Sequence, residues 1–76
     1  MKAVYSMIKN VIFLEDGNCI LTYGIEARNG TDGELLDKFD DVSVSSAFTE
    51  NVIDILNTCK IELCHFRDVI IDELNK

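Results

Sequence analysis

Three stretches in the first half of the chain have the residue pattern of β-strands. Residues 3–14 are rich in Val, Ile, Tyr and Phe, which are enriched in strands. Residues 19–27 alternate between two faces, as a half-buried antiparallel strand does. Residues 34–44 form a third, less regular stretch, in which we predict a bulge near Asp40-Asp41. The sequence therefore predicts a three-stranded antiparallel meander over residues 1–44.

The turn between the first two strands determines which side chains share a face of the sheet. Asp16-Gly17 lies between two apolar runs, and this pair favours a two-residue turn. In that register Leu14 pairs with Cys19. Five apolar side chains then point away from the helix-covered face: Tyr5, Met7, Val11, Phe13 and Ile20. A three-residue loop is the alternative, in which Phe13 would pair with Leu21 and point into the core.

From Ser45 onward the apolar residues have the spacing of α-helices. The first predicted helix has an apolar stripe of Phe48, Val52, Ile55, Leu56 and Cys59. The second covers about residues 63–75, with a stripe of Leu63, Phe66, Val69, Ile70 and Leu74. Residues 60–62 leave room only for a short connection, which predicts a helical hairpin over residues 45–76. The predicted fold class is α+β, a single small β-β-β-α-α domain over residues 1–76.

The five apolar side chains on the second face of the predicted sheet need a covering layer. A small monomer rarely leaves a patch of that size exposed. We therefore expect a second copy of the chain, or a larger protein, to cover this face.

Composition excludes some classes of partner. The 76 residues include 7 basic and 14 acidic side chains, which give a formal net charge of −7. A nucleic-acid binder needs clustered Lys and Arg, and so does a polybasic membrane-surface module, so we expect neither activity. No apolar run has the length of a membrane span, and the N-terminus lacks the uninterrupted apolar stretch of a signal peptide. We therefore expect a cytoplasmic protein.

The nucleophiles and bases of the chain form no recognisable catalytic set. The three cysteines, Cys19, Cys59 and Cys64, are an odd number with apolar neighbours, and we expect buried, reduced thiols. His65 follows Cys64 directly, but neighbouring positions on a helix diverge by about 100°. We assign no catalytic, cofactor-binding or metal-ligating residue.

Acidic side chains form two groups along the chain. The first lies around the predicted hairpin tip and third strand: Glu15, Asp16, Asp32, Glu34, Asp37, Asp40 and Asp41. In the second group, Asp68 and Asp72 share a helix face with His65. One imidazole and two carboxylates could bind a divalent ion, but three ligands on one straight helix seldom converge on one ion, so the prediction is a solvated helix face. The candidate contacts for a partner with a basic groove are Asp37, Asp40, Asp41, His65, Asp68 and Asp72.

Several short motifs resemble those of a known family. They are Tyr23-Gly24-Ile25, Asp41-Val42-Ser43, Leu56-Asn57 with Cys59, and the tail that runs from His65-Phe66 through Asp68-Val69-Ile70 to Asp72 and Leu74. They resemble a domain-of-unknown-function family of short proteins from Clostridia-type Firmicutes. That family has Ser-Pro where this chain has Leu63-Cys64, and the resemblance implies no named activity. In size and charge the chain is also similar to the small acidic inhibitors that phages direct at bacterial defence nucleases.

These observations predict a non-enzymatic binding protein without a cofactor. It would regulate or inhibit a larger protein through its acidic residues, its exposed sheet face, or both. A phage-type inhibitor of a defence nuclease is the most specific form of this hypothesis. The alternative is a small homodimeric structural or regulatory domain of a Firmicute, with no nucleic-acid-groove partner.

Overall fold

The computed structural model describes residues 2–76 and has the predicted fold class. Its elements are the strands β1 (Ala3–Phe13), β2 (Cys19–Asn29) and β3 (Leu35–Ser43), followed by the helices α1 (Ser46–Thr58) and α2 (Phe66–Leu74). A 3₁₀ turn, Leu63–His65, leads into α2. The strands form one antiparallel sheet in the order β1-β2-β3. The meander followed by two helices is therefore confirmed.

The β1–β2 loop contains three residues and differs from both predicted registers. The N–H of Leu14 donates to Asn18 O at 2.8 Å, and the N–H of Gly17 donates to Leu14 O at 3.1 Å. Gly17 has φ +89°, the left-handed conformation that closes a three-residue hairpin loop. In this loop Phe13 pairs with Cys19, so the pairings predicted for Leu14 with Cys19 and for Phe13 with Leu21 are both wrong.

The shift of one residue reverses the predicted faces of β1. Tyr5 pairs with Ala27 and Met7 with Ile25, and Tyr5, Ile25 and Ala27 are all buried beneath the helices. Because side chains alternate along a strand, Val11 and Phe13 point to this helix-covered side as well. The predicted placement of Tyr5, Met7, Val11 and Phe13 on the opposite face is therefore wrong. Ile20 does lie on the opposite side.

The core lies between the helix-covered side of the sheet and one stripe of each helix. Its buried apolar members are Tyr5, Ile25, Ala27, Val42, Val52, Leu56, Phe66 and Ile70. The rings of Tyr5 and Phe66 stack with centroids 5.3 Å apart, and the Tyr5 hydroxyl donates to Ile61 O at 2.6 Å. Burial raises the pKa of the Tyr5 hydroxyl, and nearby Cys64 adds to the shift. Tyr5 therefore holds the first strand to the last helix.

A bulge in β3 confirms the irregularity predicted near Asp40-Asp41. The β2–β3 register shifts between Tyr23 and Ile25, and β3 comes very close to the backbone of β2 at this point. A Cβ on Gly24 would collide with the backbone of Phe39 and Asp40. Position 24 therefore needs glycine because no larger side chain fits beneath the bulge.

The helix α1 begins at a polar cap and packs along one stripe. The N-cap Ser45 accepts a hydrogen bond from the N–H of Phe48 at 3.2 Å. Thr49, Val52 and Leu56 are its buried residues, so the stripe ends before Cys59.

All three cysteines are free but exposed, so the prediction of buried thiols is wrong. Cys19 lies at the far end of the hairpin, Cys59 caps α1, and Cys64 lies in the 3₁₀ turn. Apolar neighbours in the sequence did not determine burial, because these positions fall outside the area where the two helices meet the sheet.

Candidate protein-interaction surface

The end of the β1–β2 hairpin projects beyond the rest of the fold. Every residue from 11 to 21 is exposed, and we call this segment the hairpin arm. The last pairing between β2 and β3 joins Tyr23 to Ser43, so the β2 half of the arm has no neighbour on the β3 side. A strand of 11 residues is about 37 Å long, whereas a helix of 13 residues spans only about 20 Å. The helices are therefore too short to cover the whole hairpin.

Both faces of the hairpin arm are apolar. On the helix-covered side of the sheet it carries Val11, Phe13 and Leu21, and on the outer side it carries Ile12, Leu14 and Ile20. Phe13 is 81% exposed and Val11 53%. A contiguous apolar patch of this kind on a small protein is typical of a contact surface. Of the five apolar candidates predicted from sequence, Val11, Phe13 and Ile20 lie on the arm, Met7 is half-buried and Tyr5 is in the core.

Hydrogen bonding at the edge of β1 changes at Tyr5. The side-chain oxygen of Asn57 accepts from Tyr5 N at 3.1 Å, and its amide nitrogen donates to Tyr5 O at 3.0 Å. Asn57 therefore occupies the place that a neighbouring strand would take. Beyond Tyr5, β1 has no strand of residues 2–76 on this side, because it is the first strand of the sheet.

Two of the acidic candidate residues are held in ion pairs. Asp37 accepts two hydrogen bonds from Arg67, at 2.9 and 3.1 Å, and the guanidinium lies 5.6 Å from the ring centroid of Phe39. The Arg67 hydrogen bonds hold the pKa of Asp37 below its usual value. Asp40 pairs with Lys38 at 3.1 Å. The Arg67 contact ties β3 to α2, whereas the Lys38–Asp40 pair lies within β3. Both pairs partly neutralise the acidic residues predicted as contacts, among which Asp41 is exposed.

The structure brings His65, Asp68 and Asp72 together at a depression of about 440 Å³ that Ile61 and Val69 also line. All three polar side chains are exposed. Within residues 2–76 no group of three or more His, Cys, Asp or Glu side chains has the geometry of a metal site. The predicted solvated helix face describes this arrangement, and its role in partner binding stays a prediction.

A cleft of about 530 Å³ lies beside the start of β1 and the end of α1. Lys2 and Lys60 line it together with Asn57 and Glu62. Sequence reasoning missed this cleft because its two lysines are far apart along the chain. Their amines give one end of an acidic protein a local positive character.

The comparison with protein families matches residues 1–76 to a family of unknown function, DUF6514. The chain belongs to this family. Neither the curated proteins nor the solved structures contain a match to it. The resemblance to an uncharacterised domain family is therefore confirmed. In this DUF6514 chain the motif residues Gly24, Asn57 and Phe66 have structural roles: space for the bulge, a strand-edge anchor and a core ring.

The sequence did not indicate three exposed apolar residues of the hairpin arm, Ile12, Leu14 and Leu21. It also did not indicate Asn57, which anchors the edge of β1. A usable signal was present for the arm, since comparing strand and helix lengths shows that the helices cannot cover both ends of the hairpin. For Asn57 there was none, because its partner Tyr5 lies 52 positions away.

Proposed function

We propose that this protein is a non-enzymatic binding domain that attaches to another protein through its hairpin arm. The observation that supports the proposal is the exposure of every residue from 11 to 21, in a segment with large apolar side chains on both faces. Fully burying one such side chain contributes about 1.5–3 kcal/mol. Phe13 supplies an aromatic anchor of the type that dominates interface energies.

The negative charge of the chain favours a partner with a basic surface. The apolar arm ends in Glu15 and Asp16, and the whole chain has a net charge of −7. An apolar groove with a basic rim is complementary to such an arm, and complementary charge accelerates association. We infer that the partner is a larger protein that this domain regulates or inhibits, and a defence nuclease with a basic groove is one protein of that description. Direct binding of nucleic acid is not part of the proposal.

A reducing compartment such as the cytoplasm fits this function. The three cysteines are exposed and free, and free exposed thiols persist where disulfides are kept reduced. No helix of residues 2–76 is long and apolar enough to cross a membrane.

The proposal is tested by affinity capture with a tagged chain and two variants. Ile20→Ser changes the outer face of the arm, and Leu74→Ser changes an apolar residue of α2 with nearly the same exposure. We expect to capture a partner that binds the wild type and Leu74→Ser equally well and binds Ile20→Ser at least about tenfold more weakly. The same difference in affinity should be measured when the chain and its partner are both purified. Equal binding by all three chains would contradict a role for the arm.

A further inference from the structure

The open edge of β1 is a segment with two defined ends. At one end of β1 the N–H of Leu14 donates to Asn18 O, and at the other end Lys2 O accepts from the N–H of Gly30. The backbone groups of β1 that face β2 therefore belong to even positions. The backbone N–H and C=O groups of its odd positions therefore point away from β2, towards the open edge of the sheet. The outward groups of Tyr5 are taken by Asn57, and those of Met7, Lys9, Val11 and Phe13 face no strand of residues 2–76.

This segment is complementary to itself. It runs from Met7 to Phe13 and has Asn10 at its centre. An antiparallel copy placed with its own Asn10 opposite this one sets Met7 against Phe13 and Lys9 against Val11. All outward N–H and C=O groups are then paired, since each of these odd pairs exchanges two hydrogen bonds. An unprotected strand edge is a template for such pairing.

Neighbouring registers are less favourable. Moving the copy by one pair in one direction puts Lys9 opposite Lys9, and like charges directly opposite one another destabilise a sheet. Moving it the other way places Met7 beside the turn residue Glu15 and leaves part of the edge unpaired. The register centred on Asn10 is the one that uses the whole free edge.

Charge also favours this arrangement. Between Met7 and Phe13 the strand has no acidic residue, although the chain has a net charge of −7. Beyond Met7, the turn of the second copy, with Glu15 and Asp16, reaches the part of the β1 edge where Asn57 bonds to Tyr5. The cleft lined by Lys2 and Lys60 lies there. In this register an acidic turn therefore lies beside two lysines and Glu62, a lining with one excess positive charge, at each end of the pair.

We propose that two copies of this chain pair antiparallel along β1, centred on Asn10, and join their sheets into one continuous sheet with both helix layers on the same side. The twofold axis makes the contact close on itself, which limits the assembly to a dimer. The inference goes beyond the proposed function, because it assigns a second copy of the chain to the edge of β1. It leaves the outer face, with Ile12, Leu14 and Ile20, free for a different protein.

Disulfide trapping tests the register. In a background with serine at the three exposed cysteine positions, Ile8→Cys and Ile12→Cys are made as separate proteins. In the proposed dimer, residue 8 of one copy lies opposite residue 12 of the other in a non-hydrogen-bonded pair, with Cα atoms about 4.5 Å apart, which a disulfide can bridge. Identical residues lie about 13 Å apart along the strand. We expect a mixed disulfide when the two proteins are oxidised together and none when either is oxidised alone.

Two outcomes would overturn the register: a mixture in which every disulfide joins identical residues, and a mixture in which no disulfide forms. Mass spectrometry of a mixture in which one protein is isotopically labelled distinguishes these products. The stability of the serine background is compared with that of the native sequence. We expect a small difference, since the three substituted cysteines are exposed.

Sedimentation measures the dimer itself. Val11→Pro removes an outward N–H while leaving the bonds to β2, and Val11→Thr retains that N–H. We expect the wild type and Val11→Thr to dimerise below about 100 µM, and Val11→Pro to dimerise at least about tenfold more weakly. A wild type that stays monomeric at that concentration overturns the inference. If capture of a larger partner still depends on Ile20 in that case, the proposed function stands without it.

Discussion

Replacing Asn57 by alanine removes the contact that joins the end of α1 to the first strand. The two hydrogen bonds to Tyr5, at 3.0 and 3.1 Å, contribute about 2 kcal/mol together at typical net values. Alanine recovers about 0.5 kcal/mol in helix propensity. We therefore expect the free energy of unfolding to fall by about 1.5 kcal/mol, which lowers Tm by roughly 6–12 °C in a domain of this size.

Urea and thermal unfolding measure the loss, with Asn51→Ala as the matched control. Asn51 is exposed on the same helix and shares the gain in helix propensity, so it isolates the contribution of the hydrogen bonds. Hydrogen exchange at the Tyr5 amide should accelerate in Asn57→Ala and stay unchanged in Asn51→Ala. If the two variants have the same stability within about 0.5 kcal/mol, the anchor contributes nothing and the reasoning is refuted.

Four further changes test other parts of the structure. Gly24→Ala places a Cβ against the β3 backbone, and we expect a loss of at least about 2 kcal/mol in urea unfolding; a neutral effect would contradict the close approach. Thr22→Val should stabilise the chain by about 1 kcal/mol, because the buried Thr22 hydroxyl has no hydrogen-bond partner among residues 2–76; a destabilised variant would show that the hydroxyl is satisfied. Asp37 has a lowered folded-state pKa, so its stabilisation is present above about pH 4 and is lost as the pH falls through that lowered pKa. Below about pH 4 the stability of Asp37→Asn should therefore fall less steeply than that of the wild type, and parallel curves would argue against the ion pair with Arg67. Phe13→Glu should keep its helical circular dichroism and lose self-association or partner binding, because Phe13 is exposed, whereas an unfolded variant would place Phe13 in the core.

The elements of this fold could be predicted because each has a distinct period. The alternation of residues 19–27 and the helical stripes of Val52 with Leu56 and of Phe66 with Ile70 survive in the structure. The bulge was visible as an irregularity at Asp40-Asp41. These are local properties, and the tertiary structure did not override them.

The register of the hairpin could not be predicted in the same way. An Asp-Gly pair occurs in two-residue and in three-residue loops, and the choice reverses every side chain of the strand. Here the Asp16 carboxylate accepts hydrogen bonds from the N–H and the side chain of Asn18, both at 3.0 Å. Those bonds also hold the pKa of Asp16 below its usual value. They stabilise the longer loop, and nothing in the apolar pattern indicates them.

The candidate surface was predicted in part. Val11, Phe13 and Ile20 are exposed, but Val11 and Phe13 lie on the helix-covered side of the sheet and are exposed because the helices do not reach them. The burial of Tyr5 depends on Ile61 and Phe66, which come from the other end of the chain. Contacts of that range have no signature in a single sequence.

The long separation between Tyr5 and its partners has a consequence for the order of events during synthesis. The first strand leaves the ribosome long before Asn57, Ile61 and Phe66, yet those residues supply its edge hydrogen bonds, its hydroxyl acceptor and its stacked ring. An isolated meander has little core to hold it, and contacts distant in sequence form late. The hairpin is therefore exposed, with its apolar arm and open edge, until the residues through Phe66 have been made. Within a polysome, where nascent chains are close together, this interval is the first in which the proposed pairing along β1 could form.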